Sequence, residues 1–172
     1  RDRPNLHVLV PFVRDLDDFR FAVEMFESVS WPNRFGTMIE IPSAVDDVSA
    51  FVEAGASNLL VGLNDLTGLI TGTTREAGDM KHHPSVWRAI ERVAEAAEGC
   101  EWGVAGDLTE GVLERARVSG VPYASIHYHQ LHELLGVSVD ALPESLHVAE
   151  TKVRTRSQIA AEQMRSASGA SD

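Results

Sequence analysis

"GTMIEIPSAVDDVSAFVEAG", Gly36–Gly55, decides the fold class. Its first half is apolar and stops at Pro42, which is the pattern of a short buried strand. Its second half, from Ser43 as N-cap to Gly55 as stop, has the composition of a helix. Strand followed directly by helix is one βα unit. Within the strand, Glu40 is the single charge. A carboxylate there is either a solvated edge or capping group, or a group held for chemistry.

The same unit recurs along the chain. "LHVLVPF" (Leu6–Phe12) reads as a strand and "DLDDFRFAVEMFESV" as the helix after it, acidic at its start and apolar at Phe19, Val23 and Phe26. "NLLVGLN" (Asn58–Asn64) is predicted as a third strand. The stretch from Asp65 to His82 holds Gly68, Gly72 and Gly78 among threonines and reads as a long loop, a kind of segment that often carries function. "HPSVWRAIERVAEAAEG" is a helix with Pro84 in its first turn. "EWGVAGD" and "TEGVLERARVSG" form a fourth strand and helix, and "YASIHYH" (Tyr123–His129) a fifth strand. Beyond Gly136 the pattern changes. Residues 1–136 are read as one βα domain and 137–172 as a helical arm, Pro143 to Met164, with a disordered tail.

Repeated βα units imply right-handed crossovers and a parallel sheet covered by helices. The fold class is therefore α/β, with about five strands. An open doubly wound sheet and part of an eight-stranded barrel both accommodate it. No G-x-G-x-x-G follows the first strand, which disfavours the dinucleotide-binding version.

Bulk properties narrow the function. The 172 residues carry 15 basic and 26 acidic side chains, a net charge of -11, so a nucleic-acid backbone or an anionic membrane would be repelled. Cys100 is the only cysteine, which excludes an intrachain disulfide framework and points to a reducing, cytoplasmic setting. No apolar run approaches the ~20 residues needed to span a bilayer.

In either sheet closure, functional groups collect at the C-terminal ends of the strands. Those ends present Arg14, Glu40, Asn64 with Asp65, Asp107, and His127 with His129. Glu40 and Asp65 occupy equivalent positions one βα unit apart. Two hard carboxylates there suit Mg²⁺ or Mn²⁺, which takes one or two protein carboxylates and fills its octahedron with water and substrate. His127 and His129 flank Tyr128. Histidine titrates near neutral pH, which makes His127 a candidate catalytic acid, although packing at a subunit contact is the alternative.

"GTMIEIPSAV", "VGLNDLTGLITGTTRE" and "GVAGDLTEG", in this order, resemble the C-terminal barrel domain of the phosphoenolpyruvate-utilising enzymes, which include pyruvate phosphate dikinase, phosphoenolpyruvate synthase and enzyme I of the sugar phosphotransferase system. "VLVPFVRDLDDF" and "HPSVWRAI" resemble two further motifs of that domain. The resemblance covers Leu6 to Tyr128. It implies a TIM-barrel-like fold, with Glu40 and Asp65 as ligands of a magnesium ion that chelates the substrate. It implies that Asn64 and Arg75 contact the substrate phosphate, with Arg14 a further candidate. Phosphoenolpyruvate, pyruvate or another 2-oxo acid would be the substrate, and a second copy or a partner subunit would complete the assembly.

The sequence departs from the family in two ways. The family motif G-x-C-G-E carries a cysteine that protonates the enolate of pyruvate, whereas this chain has Gly103-Val104-Ala105-Gly106-Asp107. Eight strands are also needed for the barrel, against about five here. Two alternatives follow: a metal-dependent 2-oxo-acid aldolase or lyase of the citrate lyase β type, which does not use the cysteine, and a non-catalytic binding or assembly module.

Overall fold

The computed structural model describes residues 6–74 and 78–127, together with residues 130, 134 and 136. The chain divides into two compact units, Arg1–His127 and Tyr128–Asp172. The first contains every element described below. The expected arm and tail, with Arg75, Tyr128 and His129, lie outside the described residues.

The first unit is a five-stranded, wholly parallel sheet in the order β1-β2-β3-β4-β5. The strands are β1 (Val8–Val10), β2 (Phe35–Ile39), β3 (Asn58–Gly62), β4 (Glu101–Ala105) and β5 (Ala124–Ser125). Chain order equals spatial order, as expected when every strand returns beside its predecessor through a helix. The helices are α1 (Leu16–Ser28), α2 (Pro42–Asp46), α3 (Val48–Glu53), α4 (Leu63–Thr71), α5 (Pro84–Ala96) and α6 (Glu110–Val118), with a 3₁₀ turn at Gly78–His82.

Alternation along the strands places the core. Ile39, Leu59, Val61 and Val104 are fully buried and belong to one cluster with Phe19 of α1, Phe51 of α3, Leu66 of α4, Trp87 and Ile90 of α5 and Val112 of α6. The residues between them, among them Met38, Leu60 and Gly103, point to the other face of the sheet. The sequence anticipates β2, β3, α1 and α5 because their apolar periods are strong.

Three expectations need correction. The helix over Ser43–Gly55 is broken into α2 and α3 at Asp47, whose carboxylate turns away to accept the Leu16 amide at 3.1 Å. Pro42, not Ser43, opens α2, because the Ser43 hydroxyl donates to the Arg14 carbonyl instead. The third strand ends at Gly62, and the supposed long loop begins as helix α4, so Asn64 and Asp65 stand in a helical first turn. Leu63, Leu66 and Thr67 are buried there, and tertiary packing overrides the poor helix propensity of glycine and threonine. Gly72, at φ 67°, caps the helix in the left-handed conformation.

Candidate functional site

The C-terminal edge of the sheet carries a cleft of about 110 Å³ lined by Met38, Glu40, Gly62, Asn64, Asp65, Ala105 and Gly106. Its construction follows from the strand register. Ile39 pairs with Val61 and Gly62 with Ala105, so Glu40, one residue beyond Ile39, lies level with Gly62 and Ala105. Residues in one row across a sheet share a face. The Glu40 side chain is therefore laid over Gly62 with the methyl of Ala105 beyond it.

Gly62 is required by that arrangement. A Cβ on it would sit 2.6 Å from Glu40 Oε1 and 2.5 Å from Glu40 Cγ, closer than side-chain contacts allow. Glu40 itself is only 5% exposed, and its Oε2 accepts the Phe12 amide at 3.1 Å. Phe12 adopts a left-handed backbone, φ 55°, in the turn that follows β1. Non-glycine residues hold such a conformation at a cost of about 1–3 kcal/mol, and it recurs where a backbone group is aimed at a site.

Asn64 is oriented from the opposite wall. The Asp107 amide donates to Asn64 Oδ1 at 3.1 Å, which assigns the carboxamide and makes its NH₂ group the remaining donor end. Gly106, at φ 132°, allows the approach, for a Cβ there would lie 2.9 Å from Asn64 Oδ1. Asp65 is half-buried and also lines an adjoining groove with Gly68, Leu69, Gly72 and Thr73.

The structure thus brings three of the sequence-derived candidates, Glu40, Asn64 and Asp65, to one cleft. Arg14 is engaged elsewhere. Its guanidinium makes a two-pronged pairing with Asp18, at 2.7 and 2.8 Å, and does not line the cleft. This pairing lowers the Asp18 carboxyl to about 2 and raises Arg14 above its ordinary range. His127 is exposed beyond the end of β5 and does not line the cleft either. β5 covers only Ala124–Ser125, so the expected strand over Tyr123–His129 is shorter among the described residues. The sequence reading missed Gly62 and Gly106. A glycine at a strand end, as in "VGLN", is the available signal for close approach of another group.

Among the described residues no three His, Cys, Asp or Glu side chains gather as a metal-binding group. That leaves open the case relevant here, since Mg²⁺ needs only one or two protein carboxylates. The donor set fits such an ion: hard oxygens from Glu40 and Asp65 at a cleft whose floor is kept clear by Gly62.

The family described as "PEP-utilising enzyme, PEP-binding domain" matches residues 2–121. The chain belongs to this family. Phosphoenolpyruvate-protein phosphotransferases are similar over part of their length: one from Haloferax volcanii is 31% identical over 125 residues, covering 62% of this chain and 22% of the relative. Another, from Chlamydia trachomatis, is 34% identical over 105 residues, covering 54% and 18%. This member of the PEP-utilising family therefore spans about a fifth of those relatives. Solved structures share its fold. An HpcH/HpaI aldolase/citrate lyase family protein from Burkholderia cenocepacia superposes with a TM-score of 0.56 at 15% identity, covering 89% of this chain and 64% of that one. A citrate lyase from Burkholderia xenovorans gives 0.56 at 20% identity, covering 85% and 54%. The neighbours are TIM-barrel folds, and the five parallel strands with the helices between them correspond to part of such a barrel.

Proposed function

We propose that this domain binds phosphoenolpyruvate, pyruvate or a similar 2-oxo acid together with Mg²⁺ or Mn²⁺, as part of a larger phosphotransferase-type assembly. The observation carrying the reading is the juxtaposition of Glu40, Asp65 and Asn64 in one cleft at the strand ends. Glu40 and Asp65 would hold the metal. When bound, the metal supplies Lewis acidity toward carboxylate and enolate oxygens. Glu40 contributes a carboxylate held in place by the Phe12 amide and by the absence of a side chain on Gly62. Asn64 contributes its NH₂ donor to an anionic group of the ligand. Arg75 is assigned to the same anion by its place in the motif. The partner is a second copy of the chain or another subunit that continues the sheet.

Ala105 limits what the site does to its ligand. It lines the cleft at the position of the family's cysteine, and a methyl group neither gives nor takes a proton. The same observation favours a second reading, a metal-dependent aldolase or lyase that does not require that proton donor.

Thermal denaturation with Mg²⁺ and oxalate, an enolate mimic, tests the proposal. At about a hundredfold excess over Kd, a ligand specific for the folded state adds about 2.7 kcal/mol. The expected result is a rise in Tm that needs both components and is lost in Glu40→Ala and in Asp65→Ala. No rise in the parent protein would leave only a non-catalytic module.

A further inference from the structure

Behind the Asn64 wall lies a buried cation. Lys81, at the end of the 3₁₀ turn Gly78–His82, is only 2% exposed. Taking an ammonium out of water costs several kcal/mol unless it is paired or hydrogen-bonded, so a lysine in this place needs a reason. Its Nζ donates to the Asp107 carbonyl at 2.5 Å. Burial pushes its pKa down, while the nearby Asp107 charge opposes that shift. The Lys81 backbone is fixed as well, because Trp87 Nε1 donates to its carbonyl at 2.7 Å and the Arg115 guanidinium stacks 4.5 Å above the Trp87 ring.

One residue, Asp107, joins this cation to the cleft. Its carbonyl receives Lys81 and its amide donates to Asn64 Oδ1. A carboxamide can be turned end for end at little cost in shape, and a donor fixed on its oxygen selects one orientation. That choice matters chemically. A phosphate or carboxylate is attracted to the NH₂ end and repelled by the oxygen.

We infer that Lys81 is a positioning residue: it clamps the Asp107 carbonyl, which holds the Asp107 amide on Asn64 Oδ1 and keeps the Asn64 NH₂ group turned to an anionic ligand in the cleft. The ligand half of this inference rests on the function proposed above, whereas the linkage through Asp107 stands by itself. The 3₁₀ turn and the turn after β4, 26 residues apart at Lys81 and Asp107, are thereby locked together.

The test has a ligand-free part and a ligand part. In the ¹⁵N-labelled protein, Lys81→Met is expected to move the Asn64 side-chain NH₂ resonances and to speed hydrogen exchange of the Asp107 amide by about tenfold, with the far-UV circular dichroism unchanged. Unchanged Asn64 and Asp107 signals would overturn the inference. Should Lys81→Met not fold, Lys81→Gln carries the same readout, since its neutral donor stops one bond short of the carbonyl. A smaller displacement of the same two signals is expected, and identity with the parent overturns the linkage. In the ligand part, Lys81→Met weakens oxalate binding in the presence of Mg²⁺ by about tenfold, yet adds no further loss in an Asn64→Ala background. Additive losses would show a merely structural role and overturn it. A parent that binds no oxalate would sink the proposed function, while the Asn64 resonance would still decide the linkage.

Discussion

At Gly62 a single carbon decides whether the cleft exists. Gly62→Ala places a Cβ 2.6 Å from Glu40 Oε1, so the carboxylate or the strand must move. Overpacking of this kind costs about 1–3 kcal/mol, and the expected outcome is a lower Tm with loss of metal-dependent ligand binding. Thermal melts with and without Mg²⁺ and oxalate separate the two effects. A second residue-scale prediction concerns Asp18. Its carboxyl is lowered to about 2 first by the side-chain hydrogen bond from Arg14, then by the Arg14 amide. A carboxylate whose folded pKa is depressed contributes stability above its unfolded pKa and loses it as pH falls through the folded value. The contribution is therefore complete above the ordinary carboxyl value of 3.8 and fades as pH falls toward about 2. Arg14→Met is expected to return the Asp18 midpoint toward 3.8, as read by NMR titration. An unmoved midpoint would mean that the backbone amide alone holds the carboxylate.

At the scale of elements, the helices differ in how much of them the sequence reveals. α5 is fully legible: His-Pro at its start, a strong apolar stripe, and burial of Val86, Ile90 and Val93 as the spacing requires. α4 is not, because Gly68, Gly72 and the threonines mimic a loop, and only contacts made on folding bury Leu63 and Leu66. The break at Asp47 is equally hidden, since its cause is an amide 31 residues away. That Glu40 and Asp65 line one cleft is legible from their places at or just beyond neighbouring strand ends. The Phe12 amide that holds Glu40 and the Asp107 turn that holds Asn64 are not, for both are long-range hydrogen bonds without local pattern. Two element-scale outcomes follow. Thr109 caps α6 by accepting the Val112 amide at 3.3 Å, so Thr109→Ala should cost about 1 kcal/mol in urea denaturation. Trp87→Phe removes the indole donor from the Lys81 carbonyl and should cost about 1–3 kcal/mol, because the buried acceptor loses its partner. A change within error in either variant would show that the cap or the indole bond contributes little.

The first unit carries a parallel sheet with β1 and β5 at its two edges among the described residues. Open edges invite further pairing. Phe21, Met25 and Val29 of the α1 segment, spaced one turn apart, are 65%, 57% and 68% exposed. Self-association is the expected outcome, seen as concentration-dependent mass in sedimentation equilibrium. A monomer at every concentration would count against it. No described helix is long and apolar enough to cross a membrane.

In the proposed function, Glu40 and Asp65 make ligand binding depend on a divalent metal. Isothermal titration of oxalate into the protein, with and without Mg²⁺, tests it most directly. Saturable heat only in the presence of Mg²⁺, abolished by the nearly isosteric Glu40→Gln, is the predicted result. Equal binding without the metal, or undiminished binding by Glu40→Gln, would rule out a metal held by these carboxylates.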